Sequence, residues 1–151
     1  MNYNKMKKQD LITLLEVRER AATSPVKCPD DVTERLMEFA GKKQEHFLVV
    51  LLDGANRVIS VEVVAIGTAN KCLVHPRDVF APAIEKRAVY VITAHNHPSG
   101  DLVPSEEDKR VARRMQEAGR LLGIPHLDHI LISPKGHMSF LDAGILSNWE
   151  D

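Results

Sequence analysis

Two histidines one residue apart, His95 and His97, follow an apolar, β-branched run at 89–94. In extended chain the side chains at i and i+2 point the same way, so both imidazoles converge at the carboxyl end of a buried strand. Open α/β sheets usually place ligands there. Ser105-Glu-Glu-Asp108 then opens a segment whose apolar residues Val111, Met115, Ala118 and Leu122 recur at helical spacing. Asp108 extends that stripe by one turn and points toward the sheet. Two neutral imidazoles and a carboxylate make a three-donor set with a fourth position left for water, the pattern of a catalytic rather than a structural zinc site. His-x-His alone is a weak signal. The spacing from Ser105 to Asp108 also fits an ordinary capping box.

Glu62 stands inside the run Val58-Ile-Ser-Val-Glu62-Val-Val-Ala-Ile. A buried carboxylate without a partner is costly. Either 58–67 is an edge strand that turns Glu62 to water in alternation with Ser60, or Glu62 is a general base beside a water whose pKa a metal lowers.

Helices and strands must position these groups. Leu11, Leu14, Leu15 and Arg18 suggest a short amphipathic helix over 10–22. A second helix, capped by Asp30 or Asp31 and stopped by Gly41, turns Val32, Leu36, Phe39 and Ala40 to one face. The apolar run 47–52, a turn at 53–56 and the returning run 58–67 read as a hairpin. A helix over 78–87, with Val79, Ala83 and Ile84 inward, precedes the strand at 89–94 and suggests a βαβ crossover. The loop 95–104 leads to a long helix over 105–122, ended by Gly123. Strands at 128–133 and 137–141 close the chain. The expected fold is α/β: a mixed sheet flanked by helices, with residues 1–25 as a helical lead and 26–151 as the domain.

The chain has 151 residues, 44% hydrophobic and 27% charged, which suits one globular domain. Its formal charge of −1 gives no global electrostatic footprint for nucleic acid or an anionic membrane. Cys28 and Cys72 are too few for a disulfide framework and lack metal-site spacing. No signal peptide or run long enough to span a membrane is read. A cytoplasmic protein with reduced thiols and no membrane partner is expected.

Glu62, His95-x-His97-Pro98 and Ser105-x-x-Asp108 together resemble the JAMM (MPN+, JAB1-type) metalloprotease signature, with ten residues between His97 and Asp108. The similarity is closer still to the bacterial RadC-like branch. It shows in Gln44-Glu-His-Phe47, in His75-Pro-Arg-Asp-Val-Phe80, in Ala94-His-Asn-His-Pro-Ser-Gly100 and in Leu127-Asp-His129, from about residue 25 to the C-terminus. The resemblance implies a fold similar to the cytidine deaminase architecture and one Zn2+ per chain, held by His95, His97 and Asp108. It further implies that Glu62 activates water, that Ser105 supports the oxyanion, and that a peptide, isopeptide or similar amide is hydrolysed. Asp128-His129 is a hydrogen-bonding partner of the site or a local turn, with the structural reading favoured, as it is for His75 and Arg77.

Longer RadC-like proteins carry a helix-hairpin-helix module, and no glycine-bearing hairpin of that kind is read in the lead. A DNA-repair-associated or nucleic-acid-processing accessory protein with a metal site is the alternative function. The basic residues Lys109, Arg110, Arg113, Arg114 and Arg120 interleave with Glu106, Glu107 and Glu117 and read as a solvated face. A relic site kept by a binding module is disfavoured by the full ligand set. A cytidine deaminase is excluded, because Pro-Cys-x-x-Cys is absent.

Overall fold

The computed structural model describes residues 24–67 and 74–149, together with 8, 9 and 12. The helix expected over 10–22 therefore lies almost wholly outside the described residues, as do Cys72 and most of the loop after 67.

Among the described residues the elements run α1 (Pro29–Ala40), β1 (Glu45–Leu52), β2 (Val58–Gly67), α2 (Pro76–Glu85), β3 (Tyr90–Asn96), α3 (Glu106–Leu122), β4 (His126–Ser133) and β5 (Gly136–Ser139). The five strands form one sheet in the order β2-β1-β3-β4-β5. β1 is antiparallel to both β2 and β3, β3 and β4 are parallel, and β5 returns antiparallel to β4. This is the mixed α/β class expected from the sequence.

The crossover differs in detail from expectation. α2 links β2 to β3, which run in the same direction but have β1 between them. The adjacent parallel pair is β3–α3–β4. β3 also continues two residues beyond the expected strand, so His95 and Asn96 belong to the sheet rather than to the loop.

Strand parity divides the core. Leu48, Val50, Leu52, Ile92, Ala94, Ile130 and Ile132 pack under α1 through Val32, Leu36 and Ala40. Phe47, Val49, Leu51 and Val91 pack under α2 and α3 through Val79, Phe80, Ala83 and Met115. Covered on both faces, β1 keeps Phe47–Leu52 at no more than 5% exposure, which explains its unbroken apolar run. Each such side chain contributes about 1.5–3 kcal/mol by leaving water.

The helices are rotated slightly from expectation. In α1 the N-cap is Cys28, and Asp31 Oδ2 accepts from the amides of Lys27 and Cys28. In α2, Val79 and Ala83 are inward but Ile84 is exposed. In α3 the buried residues are Ala112, Met115, Gln116 and Gly119, and Leu122 is exposed. Asp108, Ala112, Met115 and Gly119 thus form the inward stripe, which still begins with the acid. Gly123 ends α3 in the left-handed region, at φ 69°. No described helix is long and apolar enough to cross a membrane.

Candidate metal centre

The odd-numbered residues of β3 face α2 and α3, so the column Val91, Thr93, His95 rises toward the N-terminus of α3. His95 is 2% exposed and lies against Phe47, its partner on β1, with the rings 6° from parallel. His97 leaves the strand on the same side. Its Nδ1 lies 3.2 Å from the Asp101 carbonyl oxygen and 3.3 Å from Asp101 Oδ1. Asp101 is held in turn by Ser99 Oγ and the Val103 amide. Gly100 makes that turn at φ 85°, where glycine has no steric penalty. With Nδ1 engaged, Nε2 of His97 faces inward, 3.1 Å from Nε2 of His95.

Asp108 completes the group. Oδ1 lies 3.4 Å from His95 Nε2, and Oδ2 lies 3.3 Å from His97 Nε2. One donor atom from each of the three residues lies within 4.8 Å of the others. The capping box exists as well: Oδ2 accepts from the Ser105 amide at 2.9 Å, and Ser105 Oγ accepts from the Asp108 amide at 3.0 Å. The two readings of Ser105-x-x-Asp108 are therefore compatible. The cap fixes the carboxylate, and the fixed carboxylate faces both imidazoles.

Electrostatics fit a cation. Partial burial works against the Asp108 carboxylate, yet hydrogen bonds from His95 and His97 outweigh it and hold the group well below the usual carboxylate range. His97 is raised above its ordinary value by its hydrogen bond to Asp108, against the opposing effect of burial. With the protons that bridge them to Asp108 displaced, the two inward imidazole nitrogens and the carboxylate form a mixed nitrogen and oxygen donor set that suits a divalent ion of the zinc kind.

Glu62 is not brought to this group. β2 is an edge strand, and Glu62 pairs across it with Val49, whereas Phe47 is the residue opposite His95. Two strand spacings, about 10 Å, separate Glu62 from β3. Its carboxylate is one-third exposed and bonds Lys86 Nζ at the end of α2 and Ser60 Oγ. The Lys86 hydrogen bond is the main influence holding it below its usual value. The edge-strand alternative is the arrangement found.

The carboxylate that does approach is Glu45, which the sequence reading passed over. It starts β1, two residues before Phe47 and on the same face. Its Oε1 lies 3.9 Å from His95 Nε2. Glu45, Lys43, Gly67, His97, Pro98 and Asp101 line an open cleft of about 470 Å³. The signal available was its place in Gln44-Glu-His-Phe47, one of the stretches that carry the RadC-like resemblance.

His129 also belongs to the surroundings of the site. Its Nε2 lies 2.6 Å from His95 Nδ1, so the hydrogen-bonding alternative for Asp128-His129 is the one observed. His75 precedes α2 as its N-cap, its amide donating to Asp78. On the outer side of α3, Lys109 pairs with Glu106 and Arg110 with Glu107, each at 2.8 Å.

The RadC-like JAB domain family model matches residues 26–145. A UPF0758 protein of Trichlorobacter lovleyi is 46% identical over 132 residues, covering 87% of this chain and 56% of the relative. One of Symbiobacterium thermophilum is 44% identical over 134 residues, covering 85% and 57%. One of Pelobacter propionicus is 48% identical over 104 residues, covering 69% and 45%. The chain thus spans about half the length of these curated relatives. The match takes in both imidazoles, the capped carboxylate and the sheet that carries them, and by it the chain belongs to the RadC-like JAB domain family.

Proposed function

We propose that this domain is a zinc-dependent hydrolase of the JAMM type that cleaves a peptide, isopeptide or similar amide bond, with Glu45 as the general base. The observation that carries this reading is the approach of the Glu45 carboxylate to 3.9 Å from the inward nitrogen of His95, beside the His95–His97–Asp108 group and at the wall of an open cleft.

His95, His97 and Asp108 would hold the ion. When bound, zinc supplies Lewis acidity, polarising a carbonyl and lowering the pKa of water toward about 7. Glu45 would take a proton from water and return it to the leaving amine. Ser105 uses its oxygen as an acceptor for the Asp108 amide, which leaves the hydroxyl hydrogen free to donate to a developing oxyanion. Asp101 orients His97, so the exposed side of the group stays open to substrate.

Zinc content and cleavage of a peptide library separate the roles. His97→Ala should lose zinc. Glu45→Gln should keep zinc and lose about 10²–10⁴-fold in rate, the usual contribution of a general base. Cleavage by Glu45→Gln at the wild-type rate would overturn the assignment of the base.

A further inference from the structure

We propose that His129, Thr93 and His126 form a buried relay that positions His95 and sets the tautomer in which it can hold a metal. This rests on the metal-binding reading above. Behind His95 and away from the cleft lie His129, Thr93 and His126, and all four groups are at 2% exposure or less. His95 Nδ1 lies 2.6 Å from His129 Nε2, His129 Nδ1 lies 2.7 Å from Thr93 Oγ1, and Thr93 Oγ1 lies 2.7 Å from His126 Nε2. His126 Nδ1 is buried, and no hydrogen-bond partner meets it in good geometry among the described residues.

Strand geometry explains how two histidines three residues apart share one face. The β3–β4 register slips between Val91 and Ile92, pairing Val91 with His126 but Ile92 with Asp128. The slip at Leu127 resets the parity, so His126 and His129 both face the odd column of β3. Thr93 lies between them. Burying so many polar atoms serves no packing need, since a leucine or valine would fill the same space without a desolvation cost.

The relay has a direction. Full burial disfavours a charged imidazole, and His126 is pushed down to about 3 by it. A neutral imidazole has one N–H and one lone pair. For His95 to offer its Nε2 lone pair to a metal, its proton must be on Nδ1, which donates to His129 Nε2. His129 then carries its proton on Nδ1 and donates to Thr93, whose hydroxyl donates to His126 Nε2. In the opposite sense His95 is protonated on Nε2, facing Asp108 Oδ1, and cannot bind. The sense is decided at His95, where only the first leaves Nε2 a lone pair. His129 is therefore a positioning residue, distinct from the ligands and the base.

The test uses the whole chain and zinc itself. Histidine tautomers are read by two-bond 15N–1H correlation on zinc-loaded protein, and zinc affinity is measured by competition with a chromogenic chelator. In the wild type, His95, His129 and His126 should each carry a single proton, on Nδ1. His129→Leu should weaken zinc binding by about 10–100-fold, the usual effect of losing a partner that orients a ligand. His129→Gln, which can accept from His95 and donate to Thr93, should restore most of it. A proton on His129 Nε2 in the loaded wild type, or His129→Leu binding zinc as tightly as wild type, would overturn the relay. If His129→Leu fails to fold, the wild-type tautomers still decide. Absence of zinc uptake by the wild type would instead overturn the metal reading itself, a different result from uptake that ignores His129.

Discussion

The amide of His46 donates to Asn96 Oδ1 at 2.6 Å, tying the start of β1 to the residue that separates the two imidazoles of the site. Asn96 Nδ2 donates in turn to the Gln44 carbonyl at 3.0 Å and the Lys42 carbonyl at 3.3 Å. Three backbone groups flanking Glu45 are thus held by one fully buried side chain. Asn96 faces α1 while His95 faces α3, so the end of β3 anchors the ligand on one face and clamps the strand of the proposed base on the other. Asn96→Ala should cost about 1–3 kcal/mol, because buried polar groups lose their partners. It should also lower turnover more than zinc content, since the ligands lie on the opposite face. Urea denaturation, zinc stoichiometry and peptide turnover measured together check this. Zinc loss with unchanged turnover would contradict it.

Glu62→Gln should leave zinc content and hydrolysis unchanged. Its carboxylate is bound to Lys86, and both side chains are at least one-third exposed or nearly so. Exposed pairs of this kind contribute about 0–1 kcal/mol. The water-activating role that the family resemblance implies for Glu62 would give the reverse, a loss of hydrolysis with metal retained. A rate assay on Glu62→Gln beside Glu45→Gln distinguishes the two carboxylates directly.

That contrast shows what local pattern conveys and what it does not. His95 and His97 are legible because strand parity is set by neighbours two residues apart. Asp108 is legible because it stands one turn ahead of the apolar stripe Val111, Met115, Ala118 and Leu122, and the helix's small rotation to Ala112, Met115 and Gly119 leaves it inward. The runs in β1 and β3 are legible because both faces of those strands are covered. Glu45 reaches the site only through the β1–β3 register that sets Phe47 opposite His95, a pairing between residues 48 positions apart. It stands in Gln44-Glu-His-Phe47, a stretch that carries the resemblance, but beside Lys42, Lys43 and Gln44 its residue type alone assigns it no role. Glu62 is misleading for the converse reason: a charge in a β-branched run signals burial only in a central strand, and β2 is at the edge. His129 is singled out with Asp128, but that His126 shares its face is hidden by the register slip at Leu127, since a spacing of three has no meaning in a regular strand.

Gly119 sets the distance between α3 and the entry to β4. A Cβ there would lie 2.5 Å from the Ile124 carbonyl oxygen and 3.0 Å from the His126 amide nitrogen. Both are backbone atoms, which give way less readily than a flexible side chain. Gly119→Ala gains roughly 0.5–1 kcal/mol in helix propensity. Overpacking costs about 1–3 kcal/mol, and the substitution should be destabilising on balance. It should also displace His126 and disturb the tautomers of the relay. A higher urea midpoint for Gly119→Ala would show that the helix can move away freely.

Asp128 gives the fold a defined pH response. Its Oδ1 accepts from the His129 amide at 2.7 Å and the Leu141 amide at 2.9 Å, and its Oδ2 accepts from Ser139 Oγ at 2.5 Å. Burial is the largest influence and raises the carboxyl above its ordinary value, despite the lowering effect of these three donors. A carboxyl higher in the folded than in the unfolded state favours folding most when protonated. That contribution is complete below the unfolded value of about 3.9 and is lost as pH rises through the raised native value. Asp128→Asn cannot ionise, keeps an Oδ1 acceptor for both amides and shares every other titrating group. The stability of the wild type relative to Asp128→Asn should therefore fall as pH rises above about 4 and level off once the native carboxyl is ionised. Urea midpoints of the two proteins across that range measure the gap, and a gap that moves in favour of the wild type with rising pH would reverse the sign. Asp128→Ala, which leaves both amides and the Ser139 hydroxyl without their acceptor, should be less stable than either by about 1–3 kcal/mol at every pH.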